Sequence, residues 1–392
     1  MPFLTSVKSV AARIVPRRRR KVLENHNGAA GQKVPADFLP PLRPVDLPRI
    51  LPEHRSALVD HGWTKVTFHE PLDELHRSSQ ALFRASKEFF DLPSAQKEAY
   101  KTQAGSEEGW SHVEGEKEFI SLRRLGNTPP ELKEAAQAYW AEAGNYLDEL
   151  LGRVAESLGL PAAALDAYSK PCAELGLDKT ATMLRLFRYD CSGENQTKTV
   201  AEGMPPLYGT MDPIACASWS LLRPANHLYL AHRDLGLLSL VIGDIPGLEV
   251  WNGHEKFWFP IERTFDSPAG CVMAGRQLEK LTNMRYPGGG HRVRSYGDAE
   301  ARVPGASTNS QGYRYSIVFV LRAHSPVPVN TDELTTSITG QFQAPLKGVT
   351  AHELYKEIHA SVFNINIGVE ERNRQKQKLA EMKTQAVSPT LN

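Results

Sequence analysis

Two residues with the chemistry of metal ligands stand two positions apart in the segment Tyr229–Gly236. His232 and Asp234 are predicted to lie on a strand or its extended end, where residues i and i+2 point to the same side. Two histidines and one carboxylate on one face of a metal, with the other face open, are typical of non-haem iron(II) oxygenases. A histidine–x–aspartate triplet also arises often by chance, so the pattern needs a third ligand.

The third predicted ligand is His291, far downstream of the pair. It follows Gly288-Gly289-Gly290 and begins a strand-like run to Ser295, and tight glycine turns let a strand start close to a metal. His227 and His324 are the alternatives. The first lies close before His232, and the second lies beyond the last predicted strand in a proline-rich segment. We favour His291.

A second motif follows on the segment Tyr313–Leu321, which is apolar on both faces except for Arg314 and Ser316. These two residues share one face of the predicted strand. A buried guanidinium needs an anionic partner, and its two parallel N–H groups match a carboxylate, to which a serine hydroxyl adds a third hydrogen bond. 2-Oxoglutarate fits, because its 2-keto acid end can chelate iron. The alternatives are an internal Asp or Glu partner, or an edge-strand position.

The elements that position these residues are short β-like runs that begin after about residue 180. Asn252-Gly253 is a strong signal for a two-residue hairpin. Short strands at this spacing predict a sandwich or barrel, with a jelly roll among the options. The predicted strands are Thr182–Tyr189, Leu228–His232, Leu237–Ile242, Leu248–Trp251, Phe257–Ile261, Cys271–Ala274, His291–Ser295 and Tyr313–Leu321.

Helical patterns surround the β-rich part. Apolar residues recur at helical spacing from Leu72 to Phe90 and from Glu131 to Leu158, and the stretch from Ala351 to Met382 is predicted to be a charged helix. We therefore predict a mainly β fold with flanking helices. Its predicted parts are a disordered basic segment at 1–40, a mostly helical region at 41–175, the oxygenase core at 176–330 and a helical extension at 331–392.

Composition and charge limit the possible partners. The net charge of +1 favours neither nucleic acid nor an acidic membrane, and the four widely spaced cysteines suit neither a zinc site nor a disulfide framework. No apolar run approaches the roughly 18 residues that span a bilayer. Residues 1–23 are rich in arginine and lack acids, which fits a mitochondrial or nuclear signal or a solvated tail. We predict a cytoplasmic monomer, with mitochondrial and nuclear locations as alternatives, and no membrane or nucleic-acid partner.

Taken together, these motifs resemble the isopenicillin N synthase-like family of iron(II)/2-oxoglutarate oxygenases. The similarity covers about residues 42–325. It implies a double-stranded β-helix, which is a distorted jelly roll, and Fe(II), 2-oxoglutarate and O2 as reagents. It also makes Tyr189 a candidate cosubstrate contact. Besides His232-x-Asp234, His291 and Arg314-x-Ser316, the similar segments are Leu184–Tyr189, Pro246–Val250, Phe257–Ile261 and Leu278–Asn283.

The sequence also departs from the family pattern. Arg233 is a large cation at the variable position of the metal triplet, Arg276 replaces an acidic turn residue, and Phe187 replaces a common asparagine. The spacing between His291 and Arg314 is longer than usual, which predicts a surface loop or part of a lid around 297–312.

The predicted function is oxidation of a small organic metabolite by hydroxylation, desaturation or oxidative cyclisation, and the expected setting is secondary metabolism. The alternatives are an oxidase of the same fold that does not use 2-oxoglutarate, and an inactive binding module. Several polar or aromatic residues near the predicted site are substrate-contact candidates, with ordinary packing as the alternative: Trp110, His112, Trp219, Arg223, Tyr229 and Arg233.

Overall fold

The computed structural model describes residues 39–69, 73–191, 231–294 and 312–387 of the chain. Its strands are β1 Trp63–Thr67, β2 Gly109–Val113, β3 Lys117–Leu122, β4 Met183–Asp190, β5 Leu238–Gly243, β6 Leu248–Asn252, β7 Phe257–Phe259, β8 Ala269–Ala274, β9 His291–Val293, β10 Tyr313–Leu321, β11 Pro328–Val329 and β12 Val349–Thr350. Its α-helices are α1 Ala57–His61, α2 Glu74–Asp91, α3 Ser94–Lys97, α4 Pro130–Ser157, α5 Asp166–Ser169, α6 Arg276–Leu281, α7 Ala351–Ala360 and α8 Val369–Val387.

The strands form one large sheet and two small ones. The large sheet has seven strands in the order β1-β8-β5-β10-β4-β3-β2, and every neighbouring pair is antiparallel. A three-stranded antiparallel sheet has the order β7-β6-β9, and β11 pairs with β12. The molecule is therefore rich in antiparallel sheet with helices around it, which confirms the coarse fold predicted from the sequence.

The central strand β10 divides its side chains between two environments, because residues alternate across a strand. Phe319 and Tyr315 face α4 and α2, where Phe319 meets Trp140 edge to face at 5.1 Å and Tyr315 lies 6.3 Å from Phe90. The opposite face carries Arg314 and Ser316. One face of the sheet is therefore covered by helices, and the other face holds the polar residues that the sequence singled out.

The long helix α4 has clear start and stop signals. Pro130 stands at its beginning, where a missing backbone N–H has no consequence. Gly159 follows its end with a φ of +78°, which only glycine adopts freely. The prediction of a helix from Glu131 to Leu158 is confirmed. Helix α2 begins after Asp73, whose side chain accepts from the N–H of His76, and Leu72 lies outside the described residues.

The region 41–175 contributes three strands to the large sheet, in addition to its helices. β1 pairs with β8 at one edge, and β3 pairs with β4 near the other. These strands were not predicted, because short runs such as Trp63–Thr67 carry a weak alternation signal. The hydrogen-bonded sheet therefore crosses the predicted division at residue 175.

The C-terminal region contains two helices rather than one continuous helix from Ala351 to Met382. Thr350 caps α7, and its hydroxyl and the Glu353 side chain form a reciprocal capping box. The chain leaves the helical path after Ala360 and re-enters it at Val369. The intervening residues reach the cavity described below.

In the described part of the chain, no helix is both long enough and apolar enough to cross a bilayer. The predicted basic segment at 1–40 lies almost entirely outside the described residues, as does the predicted loop at 297–312.

Candidate metal and cosubstrate site

The structure brings His232, Asp234 and His291 together as the sequence predicted. The Nε2 atoms of His232 and His291 lie 3.6 Å and 3.9 Å from Oδ1 of Asp234. One ligand atom from each residue lies within 4.8 Å of the other two. This spacing allows all three to bind one metal ion.

Backbone pairing fixes the two histidines beside each other. The N–H of His232 donates to the carbonyl of His291 at 3.0 Å, and the reverse bond measures 2.9 Å. Gly289 lets this loop pass close to β1, because a Cβ there would lie 2.4 Å from the carbonyl oxygen of Gly62. The Nδ1 atom of His291 lies 3.1 Å from the Gly289 carbonyl oxygen. That contact orients the imidazole and leaves Nε2 facing Asp234.

The electrostatics of the three residues suit metal ligation. Burial lowers the pKa of His291 to about 4, and the nearby His232 acts in the same direction, so the imidazole is neutral at pH 7. The pKa of Asp234 lies well below its usual range, because the two histidines outweigh the opposing effect of burial. Within the described residues, the buried Oδ2 of Asp234 has no hydrogen-bond partner.

The rival ligands do not join this group. His324 follows β10, and its backbone N–H donates to the carbonyl of Tyr168. Among the described residues, the three-residue cluster does not include it. His227 lies outside the described residues, as do the first three residues of the predicted strand Leu228–His232.

Arg314 is buried as predicted, but it has an internal acid as a partner. Its side chain is 1% exposed, and its Nη2 atom lies 3.0 Å and 2.9 Å from the two carboxylate oxygens of Glu262. Its Nε donates to the carbonyl of Ile245. Nη1 is buried and has no hydrogen-bond partner among the described residues. Glu262 is therefore the internal partner of Nη2, which was one of the alternatives, and Nη1 stays available to a ligand.

Glu262 is held in place independently of the arginine. It lies in a 3₁₀ turn, Ile261–Thr264, and its Oε2 also accepts from the backbone N–H groups of Gly247 and Leu248 at 2.7 Å. Gly247 provides the space for the pair, because a Cβ there would lie 2.4 Å from Nε of Arg314.

Tyr189 and Ser316 lie beside this guanidinium on the same face of the sheet. Tyr189 is the register partner of Arg314 across β4 and β10, and the guanidinium carbon lies 5.5 Å from the tyrosine ring centre. Burial raises the pKa of Tyr189 to about 12, although Arg314 and a hydrogen bond with Ser316 oppose the rise. Tyr189 is therefore a neutral phenol at pH 7.

A cavity of about 1110 Å³ connects the two groups of residues. Its wall includes the three metal-ligand candidates together with Tyr189 and Ser316. Residues of the C-terminal region, such as Phe363 and Lys376, close one side. A reactant that touches the metal candidates can therefore extend towards the arginine side of the sheet.

Among the described substrate-contact candidates, Arg233 lines the cavity and Trp110 and His112 do not. Arg233 lines the cavity, but its Nη1 pairs with Glu279 at 3.2 Å, and Arg276 pairs with the same carboxylate at 2.7 Å. Trp110 packs away from the cavity and donates to Glu118, and His112 is exposed. The ordinary packing alternative holds for these last two residues. Trp219, Arg223 and Tyr229 lie outside the described residues.

Sequence reasoning missed several cavity residues, including Arg185, Glu107 and Arg322. Arg185 lies on β4 at the same parity as Tyr189, so strand alternation alone could have placed it on the cavity face. Glu107 lies in a loop and carried no sequence signal.

Comparisons with known proteins agree with this geometry. Residues 38–142 match the family model described as the N-terminal part of non-haem dioxygenases in morphine synthesis. The chain is 26% identical over 304 residues to the 2-oxoglutarate-dependent dioxygenase ecdK of Aspergillus rugulosus, which covers 69% of this chain and 79% of that protein. It is also 26% identical to the flavonol synthase/flavanone 3-hydroxylase of Arabidopsis thaliana, over 61% of this chain and 65% of that protein.

By these matches the chain is similar to non-haem dioxygenases that use 2-oxoglutarate. Two solved structures share the fold of this chain. JOX2 in complex with 2OG, Fe and JA matches with a TM-score of 0.56 at 17% identity, over 87% of this chain and 93% of that one. A full-length Neurospora crassa protein in complex with alpha-KG and 5-formyluracil matches with a TM-score of 0.54 at 16% identity, over 77% and 86%.

Proposed function

We propose that this chain is an oxidoreductase that uses Fe(II), 2-oxoglutarate and O2 to oxidise a small organic metabolite, with Fe(II) held by His232, Asp234 and His291. One observation carries the proposal. The three ligand atoms converge within 4.8 Å of one another in the same cavity that Tyr189 and Ser316 line. The cavity therefore offers one position for a metal, at the three ligand candidates, and another for a carboxylate, near Tyr189 and Ser316.

The residues fit an iron ion by the chemistry of their donors. Two imidazoles and one carboxylate form the ligand set that leaves one face of Fe(II) open. The unpartnered buried Oδ2 of Asp234 supports this assignment, because a buried carboxylate oxygen without a partner is costly unless a cation or donor neutralises it. The carbonyl of Gly289 keeps the ring of His291 in the orientation that ligation needs.

The opposite end of the cavity fits the far carboxylate of 2-oxoglutarate. We assign that carboxylate to Arg314, Ser316 and Tyr189. The buried Nη1 of Arg314 is the unpartnered donor that a carboxylate would satisfy, and the hydroxyls of the other two residues supply further donors. Glu262 holds the guanidinium plane in position before the cosubstrate arrives.

When bound, iron together with 2-oxoglutarate and O2 supplies the oxidation of a C–H bond, with succinate and CO2 as coproducts. The chain itself positions the reactants and excludes water. Apolar residues such as Leu248 and Val318 also line the cavity, so the cavity offers an apolar surface to the body of a substrate. Hydroxylation is the proposed default outcome, and desaturation and oxidative cyclisation are the alternatives on the same scaffold.

The finer parts of the assignment are also proposals. The seven-stranded and three-stranded antiparallel sheets, with the isolated bridge between His232 and the first residue of β9, support a double-stranded β-helix core. The names of ecdK and the flavonol synthases support a small-molecule substrate in secondary metabolism. A monomer in the cytoplasm, with a mitochondrial or nuclear location as the alternative, stays a prediction.

One observation favours a second candidate. The ion pair with Glu262 gives Arg314 a carboxylate partner without any cosubstrate, as an oxidase that does not use 2-oxoglutarate would allow. The unpartnered Nη1 favours the first candidate, because a neutralised and fully bonded arginine would need no further acid.

The deciding experiment measures succinate. The purified protein is loaded with Fe(II) without oxygen, mixed with 2-oxoglutarate and exposed to air, since these enzymes turn over slowly without substrate. Wild type and the control variant His324→Ala should form succinate, and His232→Ala should form none. Arg314→Ala should need a much higher 2-oxoglutarate concentration. Iron binding without succinate would favour the oxidase, and absence of iron binding would leave an inactive binding module.

A further inference from the structure

Arg185 stands out among the cavity residues by its position and its partners. It lies on β4 opposite Val318 of β10 and Ser121 of β3, on the face that lines the cavity. Its Nε donates to the hydroxyl of Ser121 at 2.7 Å. Its guanidinium lies over the rings of Phe119 and Phe187, at 5.3 Å and 5.9 Å from their centres. These contacts hold the group in place without neutralising it.

The other arginines of this site each have a carboxylate partner. Arg314 pairs with Glu262, and Arg233 and Arg276 share Glu279. In the described ranges, Arg185 forms no ion pair. The contrast indicates that the missing partner is specific to this position.

Glu107, the acid whose charge acts most strongly on Arg185, already binds other groups. It binds the two terminal nitrogens of Arg322 at 2.6 Å and 3.0 Å and accepts from the Tyr355 hydroxyl at 3.1 Å. Arg123 lies 3.6 Å away on the same carboxylate. Three guanidinium groups, counting Arg185, therefore surround one carboxylate, and the described part of the cluster keeps an excess of positive charge.

An excess of positive charge destabilises a buried cluster. Burial lowers the pKa of Arg185, and Arg322 lowers it further, while the charges of Glu107 and Asp234 act in the opposite direction. Arg185 and the three metal candidates line the same cavity. A charged group that stays ionised in this environment is stabilised most by a bound anion.

That anion is distinct from 2-oxoglutarate in its position. Arg185 and Tyr189 are four residues apart on one strand, which corresponds to about 13 Å. The row that contains Phe187 and Ser316 separates them. An acid held at Tyr189 and Arg314 and extended to the metal leaves Arg185 to a second reactant.

We propose that the substrate is a carboxylic acid with an apolar body, and that its carboxylate pairs with Arg185. This inference rests on the proposed oxygenase function. The aromatic rings beside the guanidinium and the apolar residues Val241 and Val318 provide the surface for the body of the molecule. Arg185 determines specificity in this account, because it holds the acid group while another part of the substrate faces the metal.

The test compares acids with their neutral analogues. The probes are 3-phenylpropanoic acid, decanoic acid and 2-naphthoic acid, each paired with its primary amide. Binding is measured by calorimetry on iron-loaded protein saturated with 2-oxoglutarate, without oxygen. A charge-assisted pair with the guanidinium should make at least one acid bind about tenfold or more tightly than its amide. Arg185→Gln should remove this preference, and Arg185→Lys should keep part of it. Arg153→Gln, at an exposed arginine of α4, is the control.

Three results would overturn the inference. The first is a wild type that shows no preference for any acid, including the case in which no probe binds. The second is a preference that survives in Arg185→Gln. The third is a loss of 2-oxoglutarate binding in that variant, which would assign Arg185 to the cosubstrate. Iron and 2-oxoglutarate binding to wild type are measured first, so a failure of the proposed function is seen separately from a failure of the acid preference.

Discussion

The buried pair of Arg314 and Glu262 predicts a large and non-additive effect on stability. We would replace each partner alone and then both together, as Arg314→Met, Glu262→Gln and the double variant. The first change leaves a carboxylate that is 6% exposed without its cation, and the second leaves a guanidinium that is 1% exposed without its anion. Each single change therefore creates an uncompensated buried charge, which the double change avoids.

The contacts set the expected magnitude. Removing one member of a buried ion pair destabilises a protein by about 3–5 kcal/mol. The loss of stability in Arg314→Met should lie at the lower end of this range, because Glu262 keeps its hydrogen bonds from the N–H groups of Gly247 and Leu248. Glu262→Gln falls at the upper end, because Nη1 of the arginine already has no partner among the described residues. The double variant should lose about 3 kcal/mol less than the sum of the two single losses.

Urea unfolding of the metal-free protein measures these free energies, provided that fluorescence and circular dichroism give the same transition. Adding 2-oxoglutarate with Mn(II), which does not start the reaction, tests the link to the site. The cosubstrate should stabilise Glu262→Gln more than wild type, because its carboxylate replaces the lost charge, and should not stabilise Arg314→Met beyond the metal alone. Additive single losses to within about 0.5 kcal/mol would refute the reasoning.

Three further predictions concern other positions. In Gly247→Ala the new Cβ would overlap the buried guanidinium at 2.4 Å, so 2-oxoglutarate titrations should show about tenfold weaker binding, whereas unchanged binding would contradict the assignment. At Gly62, φ is +77° and a Cβ would lie 2.1 Å from the carbonyl oxygen of Pro287. Urea unfolding of Gly62→Ala should therefore show a loss of about 2–4 kcal/mol in the free energy of unfolding. The control Gly115→Ala has a positive φ but open space around the new Cβ, and it should lose only about 1 kcal/mol. Burial lowers the pKa of Lys117 to about 7, so above that pH the unfolded chain binds more protons than the folded chain. The free energy of unfolding should therefore rise by about 2–3 kcal/mol from pH 7 to 9. Lys117→Met should lack this rise, and an equal dependence of the unfolding free energy on pH in both proteins would contradict the prediction.

The sequence was most informative where chemistry and local periodicity coincide. The bounds of β10 agree with the predicted run Tyr313–Leu321, and α4 agrees to within a residue at each end. The three metal-ligand candidates were predicted because the strand period places His232 and Asp234 on one side and because His291 begins a later strand-like run after three glycines. The glycines before His291 predicted the close approach, which the backbone bridge between the two histidines now explains.

The partner of Arg314 could not be predicted in the same way. Glu262 lies in a short 3₁₀ turn, and neither its spacing nor its neighbours separate it from the other acids of the chain. The edges of the large sheet had the same problem. β1 pairs with β8 across a long stretch of sequence, and such non-local pairing leaves no periodic signal beyond a few alternating residues.

Of the two arginines proposed to bind acids, only Arg314 has a carboxylate partner among the described residues. This difference bears on how the site could distinguish 2-oxoglutarate from an acidic substrate. Glu262 neutralises part of the guanidinium of Arg314, so this arginine is oriented before any ligand binds and attracts a further anion less strongly. Arg185 has ring and hydroxyl contacts but no ion pair in the described ranges, so no directly paired carboxylate weakens its attraction for an anion. The weaker of the two attractions belongs to the acid that also chelates the metal and gains affinity there. The stronger attraction belongs to the proposed substrate, which has only its carboxylate and its apolar surface to hold it.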